Sequence, residues 1–435
     1  MKDIVTLVQE DMFNIKTPSY IFDISFIEEH LCSMRRQLKD IGICYAIKAN
    51  PFLVGDIHNI VDRLEVCSPG EYEICISKAV ESEKIIVSGV NKTYESINRI
   101  LQYSQGKGIY TIESRKHVDI LSRCAKENSM VLDVIIRLTS GNQFGVSKNE
   151  CESIIDRILN CNSLKLKGIH YYSGTQKKLP KIEKELKELD EYVAELKRDF
   201  NIDEMELEYG PGMLVSYFED NDVVDDIEQI KCLNEYASKL KHFDKVTFEF
   251  GRFIAAKCGY YVTRINDIKK TDKTNYIIVD GGIHQVNYYG QIMGMKKPYL
   301  THIRCNKKDI INNININSDI VSNINIQNES NNSIDSNSDN IINSKGDKNI
   351  DSKRDNNTKW TICGSLCTVN DVLVREKYVD NPCIDDIIIF ENVGAYSVTE
   401  GMSRFLSREL PSIYMSKDNR IECIREQEET YRFNM

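Results

Sequence analysis

The stretch Tyr45-Ala46-Ile47-Lys48-Ala49-Asn50-Pro51 places a lysine at the end of a short apolar run. An apolar run that ends in lysine is usually a strand whose last residue reaches solvent. Taken alone, the stretch therefore indicates a strand and nothing more. Its importance comes from the rest of the chain, because Lys48 ends the first of a long series of similar runs.

Short apolar runs alternate with amphipathic helical stretches along the first part of the chain. In one such stretch, Leu179–Leu196, the apolar residues share one face and Lys and Glu occupy the others, as expected of a helix on the outside of a barrel. Eight such units in series predict an α/β fold built on a closed parallel (β/α)8 barrel. The predicted strands are Ile43–Ile47, Leu64–Cys67, Ile85–Ser88, Ile109–Glu113, Val131–Leu138, Leu164–His170, Met205–Tyr209 and Lys245–Glu249.

The ends of these strands carry residues able to bind or react. Parallel strands of a barrel end on one face, and barrel enzymes have their active sites there. The sequence therefore predicts one active site at that face. The strand-end residues are Lys48; Glu65 and Ser68; Gly89 and Lys92; Glu113 and Ser114; Arg137; His170, Tyr172 and Gly174; Gly210 and Gly212; and Glu249, Gly251 and Arg252.

The loops after the last two strands indicate the kind of ligand. Gly210-Pro211-Gly212 follows the seventh strand and Gly251-Arg252 the eighth, where barrels frequently bind phosphate. Glycines let the backbone approach an anion, and arginine adds bidentate charge. A Gly-x-Gly alone is more often a turn, but here it lies opposite Lys48, whose amine can bond to the aldehyde of pyridoxal 5′-phosphate. A carboxylate at Glu249 could keep the cofactor ring nitrogen protonated.

These residues resemble the fold type III pyridoxal-phosphate decarboxylases, the ornithine and diaminopimelate decarboxylase family. The resemblance covers almost the whole chain, and the motifs occur in the family's order. It implies a second, mainly β domain and α-decarboxylation of an L-amino acid or an aminoacyl derivative. The motifs are Thr17–Asp23, Tyr45–Asn50, Cys67–Glu71, Gln143–Gly145, Gly168–Gln176, Gly210–Gly212, Glu249–Arg252, Asp280–Gly282, Cys363–Cys367 and Gly394–Tyr396.

The resemblance also implies a role for each site residue. Lys48 is the cofactor lysine and Glu249 pairs with the pyridinium nitrogen. Cys367 crosses the interface of a homodimer with shared active sites and acts as proton donor. The other cofactor-binding residues are Arg137 near the cofactor, Tyr172 stacked on its ring, Thr175, Gly210, Gly212, Gly251 and Arg252 around the phosphate, and Tyr396, expected from the second subunit.

Some positions depart from the family pattern. Tyr172 stands where the best-known members have a stacking histidine, Pro211 removes one N–H donor from the phosphate loop, and Phe250 replaces a proline. Thr368 stands where ornithine and diaminopimelate enzymes carry an acid that grips the distal amine. These features resemble most the decarboxylases that act on a glutamyl carrier protein. A diaminopimelate decarboxylase is the alternative; an amino-acid racemase or a non-catalytic cofactor-binding protein is weaker.

Composition agrees with a soluble enzyme. The 435 residues are 41% hydrophobic and carry a formal net charge of -10, which argues against non-specific nucleic-acid binding. The start of the chain has no long apolar stretch, so we expect no membrane association and a cytoplasmic enzyme. The fourteen cysteines are scattered, which favours reduced thiols and no metal site.

Residues 306–358 are mainly Asn, Ser, Asp, Lys and Ile, without leucine. Such a composition has little with which to form a core and predicts a disordered insertion, most simply a tolerated one in a long loop. We therefore predict a barrel domain at 24–258. The second domain would combine 1–23 with 259–435, interrupted by this insertion.

Overall fold

The computed structural model of the chain describes residues 2–221, 223–288, 294–305 and 358–435. The predicted insertion at 306–358 lies outside these ranges, apart from Thr358. Within them, a closed eight-stranded barrel is followed by a mainly β unit. None of the helices in the described ranges has the length and apolarity needed to cross a membrane.

Eight parallel strands close the barrel in the order in which they occur in the chain. Ile109–Ile112 is wholly buried, and a strand buried on both faces reads as a continuous apolar run. The prediction of a (β/α)8 barrel is confirmed, and the predicted strand ends differ from the observed ones by at most two residues. After β1 (Ser19–Asp23), the barrel strands are β2 (Gly42–Ala46), β3 (Arg63–Val66), β4 (Ile85–Val87), β5 (Ile109–Ile112), β6 (Leu132–Leu138), β7 (Leu164–Tyr172), β8 (Glu206–Gly210) and β9 (Lys245–Phe250).

Helices between the strands cover the outside of the barrel. The longest of them, Leu179–Phe200, buries its leucines against the barrel and ends at Asn201, whose left-handed backbone caps it. The helices are α1 (Ile4–Asp11), α2 (Ile24–Gln37), α3 (Val54–Ile57), α4 (Pro69–Ser77), α5 (Tyr94–Ser104), α6 (Arg115–Glu127), α7 (Lys148–Leu159), α8 (Leu179–Phe200), α9 (Asp226–Ser238), α10 (Arg252–Ala255) and α11 (Ser397–Glu400).

The second unit is a nine-stranded sheet in the order β14-β13-β11-β10-β1-β16-β17, with β15 bridging β10 and β12. β1 comes from the start of the chain and lies between β10 and β16, so both ends of the chain build this sheet. The strands are β10 (Gly259–Lys270), β11 (Asn275–Val279), β12 (Leu300–Ile303), β13 (Lys359–Cys363), β14 (Val372–Tyr378), β15 (Ile387–Phe390), β16 (Ser412–Lys417) and β17 (Arg420–Arg425).

The two units are joined at the mouth of the barrel. The Tyr396 amide donates to the Ala49 carbonyl at 2.7 Å, and the buried Asn50 side chain donates to the Gly394 carbonyl at 2.9 Å. These bonds fix the segment before α11 against the loop that follows β2. The sheet therefore contributes residues to the face where the barrel strands end.

Candidate active site

A cavity of about 290 Å³ opens at the end of the barrel where its strands terminate. A larger one, about 920 Å³, lies between the β16–β17 hairpin and α2, α3 and α4, and contains none of the predicted site residues. The chemistry is therefore in the smaller cavity. It is lined by Ala46, Lys48, Tyr172, Thr175, Gly212, Met213, Glu249, Phe250, Gly251, Arg252, Phe253, Tyr396 and Glu400.

Lys48 lies in a short 3-10 turn directly after β2. Its Nζ lies 2.6 Å from Glu65 Oε2, 3.5 Å from Glu249 Oε1 and 3.7 Å from Cys67 Sγ. Burial lowers the pKa of Lys48, but the charges of Glu65 and Glu249 outweigh it and raise the pKa well above its usual value. The amine is thus held as an ammonium between two carboxylates at the mouth of the barrel.

The sequence identifies Glu65 only as a strand-end residue. Its contact with Lys48 is seen only in the structure. The signal for it is register, because β2 and β3 are neighbours and Ala46 pairs with Glu65. A carboxylate at that point of β3 is placed to reach a lysine two residues beyond Ala46.

Glu249 is a nearly buried residue of β9, and His170 Nε2 lies 3.2 Å from its Oε2. Burial raises the pKa of the Glu249 carboxyl, but Lys48, His170 and Arg137 lower it further, to about 2. The carboxylate thus faces Lys48 through Oε1 and His170 through Oε2. An ionised carboxylate at this point of the cavity suits a cationic ring nitrogen.

The loops after β7 and β8 touch each other through glycines. A Cβ at Gly210 would lie 2.5 Å from Tyr172 Cδ2. Gly212 has φ +56°, and a Cβ there would lie 2.0 Å from the Gly174 carbonyl oxygen. The Gly174 backbone excludes a side chain at Gly212 and the Tyr172 ring crowds one at Gly210, so the ends of β7 and β8 pack closely together, and Gly212 brings backbone to the cavity wall.

Arg252 and Tyr396 form the side of the cavity beside these loops. The Arg252 guanidinium lies 4.3 Å from the centre of the Tyr396 ring. Tyr396 has a left-handed backbone, φ +68°, and lines the cavity of its own chain. The prediction that Tyr396 arrives from a second subunit is therefore wrong. Its hydrogen bond to the loop after β2 holds it in place within one chain.

Three predicted site residues do not line the cavity. Gly210 is the last residue of β8 and lies behind the lining residue Tyr172. Arg137, at the end of β6, is 3.5 Å from Glu113 Oε1 and stacks on Phe144, beside the cavity rather than among the residues that line it. Cys367 is exposed on the loop after β13 and does not line the cavity of its own chain. Lys92, another strand-end residue, is buried and donates to the backbone of its own loop.

The donor set of the cavity fits pyridoxal 5′-phosphate. Lys48 supplies an amine for the aldehyde and Glu249 an ionised carboxylate for the ring nitrogen. Arg252, Thr175 and the glycine backbone supply donors for a phosphate. The cavity therefore contains groups suited to the aldehyde, the ring nitrogen and the phosphate of this cofactor.

The comparisons with known proteins agree with this fit. A sequence model described as pyridoxal-dependent decarboxylase, pyridoxal binding domain, matches residues 24–256, more than half of the chain. The 2-[(L-alanin-3-ylcarbamoyl)methyl]-2-hydroxybutanedioate decarboxylase of Staphylococcus aureus is 25% identical, with 92% of this chain and 94% of that protein covered. The L-glutamyl-[BtrI acyl-carrier protein] decarboxylase of Niallia circulans is 24% identical, with 94% and 91% covered.

Among solved structures, the diaminopimelate decarboxylase of M. jannaschii in complex with L-lysine superposes with a TM-score of 0.78. It is 19% identical, and 97% of this chain and 92% of that chain are covered. This likeness establishes the fold of both units, while the match to the family model extends over the barrel that carries the cavity. The chain belongs to the family of pyridoxal-dependent decarboxylases, whose cofactor is pyridoxal 5′-phosphate.

Proposed function

We propose that this decarboxylase removes the α-carboxylate of an L-amino acid whose side chain is acylated or attached to a carrier protein, with release of CO2. The observation that carries the reaction type is the position of Lys48, held between Glu65 and Glu249 across from the glycine loops. Such a reaction needs one cavity that contains an amine, a partner for the ring nitrogen and donors for the phosphate.

Each group in the cavity has a part in the reaction. Bound pyridoxal 5′-phosphate supplies an electron-accepting ring that stabilises the negative charge left at the α-carbon when CO2 departs. Lys48 would hold the cofactor through its side-chain nitrogen, and Glu249 would keep the ring nitrogen protonated. Arg252 and the glycine loops anchor the phosphate. The freed Lys48 amine, or Cys367 of a second subunit, returns a proton to the α-carbon.

The substrate class rests on Thr368. Its hydroxyl accepts a hydrogen bond from the Asn370 amide at 3.3 Å, and a neutral hydroxyl cannot compensate a distal ammonium. Both relatives reported above are named for substrates in which the amino acid is amide-linked or carried on a protein. A side chain without a free amine therefore suits this site best.

The competing assignment is decarboxylation of meso-diaminopimelate, and one observation favours it. Glu400, on α11, lines the mouth of the cavity and accepts a hydrogen bond from the Asn287 side chain at 2.7 Å. Its exposed carboxylate offers a distal ammonium the negative charge that the Thr368 hydroxyl lacks.

We further propose a homodimer in which Cys367 enters the partner's cavity. Val369, which is close to Cys367 in the chain, and four apolar side chains nearer the C-terminus are exposed. Arg408 donates to the Ser365 carbonyl at 2.7 Å, which connects the segment that carries Phe405 and Leu406 to the cysteine loop. Such a patch is typical of an interface. The face consists of Val369, Met402, Phe405, Leu406 and Phe433. All fourteen cysteines are free, which supports a reducing compartment, the cytoplasm.

The test is CO2 release from matched substrates. The panel contains meso-diaminopimelate, ornithine, free glutamate, a glutamyl carrier thioester and an N-acylated 2,3-diaminopropionate. We expect kcat/KM for one of the acylated substrates to exceed that of the diamines by at least about tenfold. Thr368→Asp should raise turnover of diamines. Efficient wild-type turnover of diaminopimelate that is lost in Glu400→Gln would instead establish the competing assignment.

A further inference from the structure

A buried charge cluster lies behind the two glycine loops and has no part in the reaction described above. We call it the Lys177 cluster; it consists of Ser173, Lys177, Glu185 and Tyr209. The Lys177 side chain is 2% exposed and its Nζ lies 2.8 Å from Glu185 Oε2. A buried ion pair is costly to form unless every polar atom has a hydrogen-bond partner. Its hydrogen bonds therefore determine whether the pair can stabilise the surrounding loops.

Every polar side-chain atom of the Lys177 cluster has a partner. The Ser173 hydroxyl donates to Glu185 Oε1 at 2.6 Å, and the Tyr209 hydroxyl to Glu185 Oε2 at 2.7 Å. Both hydroxyls also lie 3.1 Å from Lys177 Nζ. Because their protons are already given to Glu185, they can only accept from the amine. The arrangement therefore requires an ammonium and a carboxylate, and a fully satisfied network of this kind is rigid.

The cluster holds both glycine loops. Lys177 Nζ donates to the Gly210 carbonyl at 3.1 Å, and the Lys177 amide donates to the Gly212 carbonyl at 2.8 Å. Ser173 belongs to the loop after β7, and its neighbour Gly174 supplies the carbonyl that faces Gly212. Since Glu185 lies on α8, the cluster ties both loops to the outer helix.

We propose that Lys177 and Glu185 are positioning residues for the cofactor phosphate. They set the spacing between the loop 173–177 and the loop 210–212, and so the direction of the groups that meet the phosphate. The inference rests on the phosphate site proposed above and deepens it. Neither side chain lines the cavity, so both act through the loops.

The test compares two ligands that differ only in the phosphate. The full-length protein is stripped of cofactor, and the Kd of pyridoxal 5′-phosphate and that of pyridoxal are measured by absorbance titration. The ratio of the two Kd values isolates the contribution of the phosphate, because both ligands share the ring and the aldehyde. In Lys177→Met we expect this phosphate preference to fall by about tenfold, the equivalent of one charge-assisted hydrogen bond.

Two further variants control the result. Lys181 is exposed and lies 3.8 Å from Glu185 Oε1, so Lys181→Met should keep the wild-type preference. Ser173→Ala removes one hydroxyl and keeps the ion pair, and should lower the preference by a smaller factor; it decides the question if Lys177→Met does not fold. Equal weakening of both ligands in these variants would show a merely structural role and overturn the proposal.

Failure of the phosphate site itself gives a different pattern. If the wild-type protein shows no preference for the phosphorylated ligand, or if Arg252→Met leaves the preference unchanged, the phosphate site is wrong and the inference falls with it. If Arg252→Met abolishes the preference while Lys177→Met and Ser173→Ala preserve it, only the positioning role is refuted.

Discussion

Gly212→Ala is the sharpest single change for testing the cofactor loops. With φ +56°, an alanine there adopts a left-handed backbone at a cost of about 1–2 kcal/mol. Its Cβ would also lie 2.0 Å from the Gly174 carbonyl oxygen. Because non-bonded carbon and oxygen rarely approach within about 3 Å, the two loops must part by roughly 1 Å. A shift of that size at a binding site reduces affinity or rate by on the order of 100-fold.

Gly141 provides a matched control for the backbone cost. It has φ +95° and no atom within 4 Å of the added Cβ, so Gly141→Ala meets an unfavourable backbone without a clash. Thermal unfolding of the cofactor-free proteins should show a loss of stability in both variants. Absorbance titration with pyridoxal 5′-phosphate should show weakened binding only in Gly212→Ala. If Gly212→Ala binds the cofactor as tightly as Gly141→Ala, the loop contact does not form the phosphate site.

Four further predictions follow from the site and the sheet. Lys48→Ala should lose the visible absorption of lysine-linked cofactor, and borohydride reduction of the wild-type protein should label Lys48. Glu249→Gln should keep that absorption but turn over at least roughly tenfold more slowly. Mixing inactive Lys48→Ala and Cys367→Ala should restore part of the activity through hybrid dimers; verified subunit exchange without recovery would refute a shared site. Burial raises the pKa of Asp386, but hydrogen bonds from a histidine and two amides lower it further, so its stabilisation is present above about pH 4 and lost as the pH falls. Asp386→Asn should therefore lower the free energy of unfolding by about 1–3 kcal/mol at neutral pH and by little near pH 3. The exposed Asp385→Asn should leave the free energy of unfolding unchanged at both pH values.

Sequence patterns predicted the barrel because its strands are buried on both faces. All four residues of Ile109–Ile112 are buried, and a short, mainly apolar run of this kind indicates an interior strand. Helix ends were harder, and α8 continues past the predicted Leu196 to Phe200. Lys197, Arg198 and Asp199 separate Leu196 from Phe200, which packs against the core one turn later. The helix ends at the Asn201 cap directly after it.

The sequence predicts most of the residues that line the site, but not which of them contact one another. Lys48, Glu249 and the glycine loops do converge on one cavity, since parallel strands end on one face. That Tyr396 belongs to the cavity of its own chain could not be derived from sequence, which does not say which copy a distant segment reaches. The Lys177 cluster was missed because its members are ordinary residues on a loop, a strand and a helix, and only folding brings them together.

The barrel and the β unit supply different parts of the proposed site, so one set of cofactor residues could be combined with different substrate contacts. Apart from Tyr396, the cofactor groups lie on the barrel strands or the loops that follow them, whereas Thr368 lies on a loop of the β unit. Asp371 holds that loop, accepting from the Ile283 amide at 2.8 Å and from the Leu366 amide at 2.7 Å. Among the described residues, the Thr368 hydroxyl adds only the bond from the Asn370 amide, so a change at residue 368 leaves both Asp371 bonds in place while it alters what the loop presents to a substrate. Under the proposed function, a change at Thr368 would therefore alter specificity while the chemistry around Lys48 stays the same.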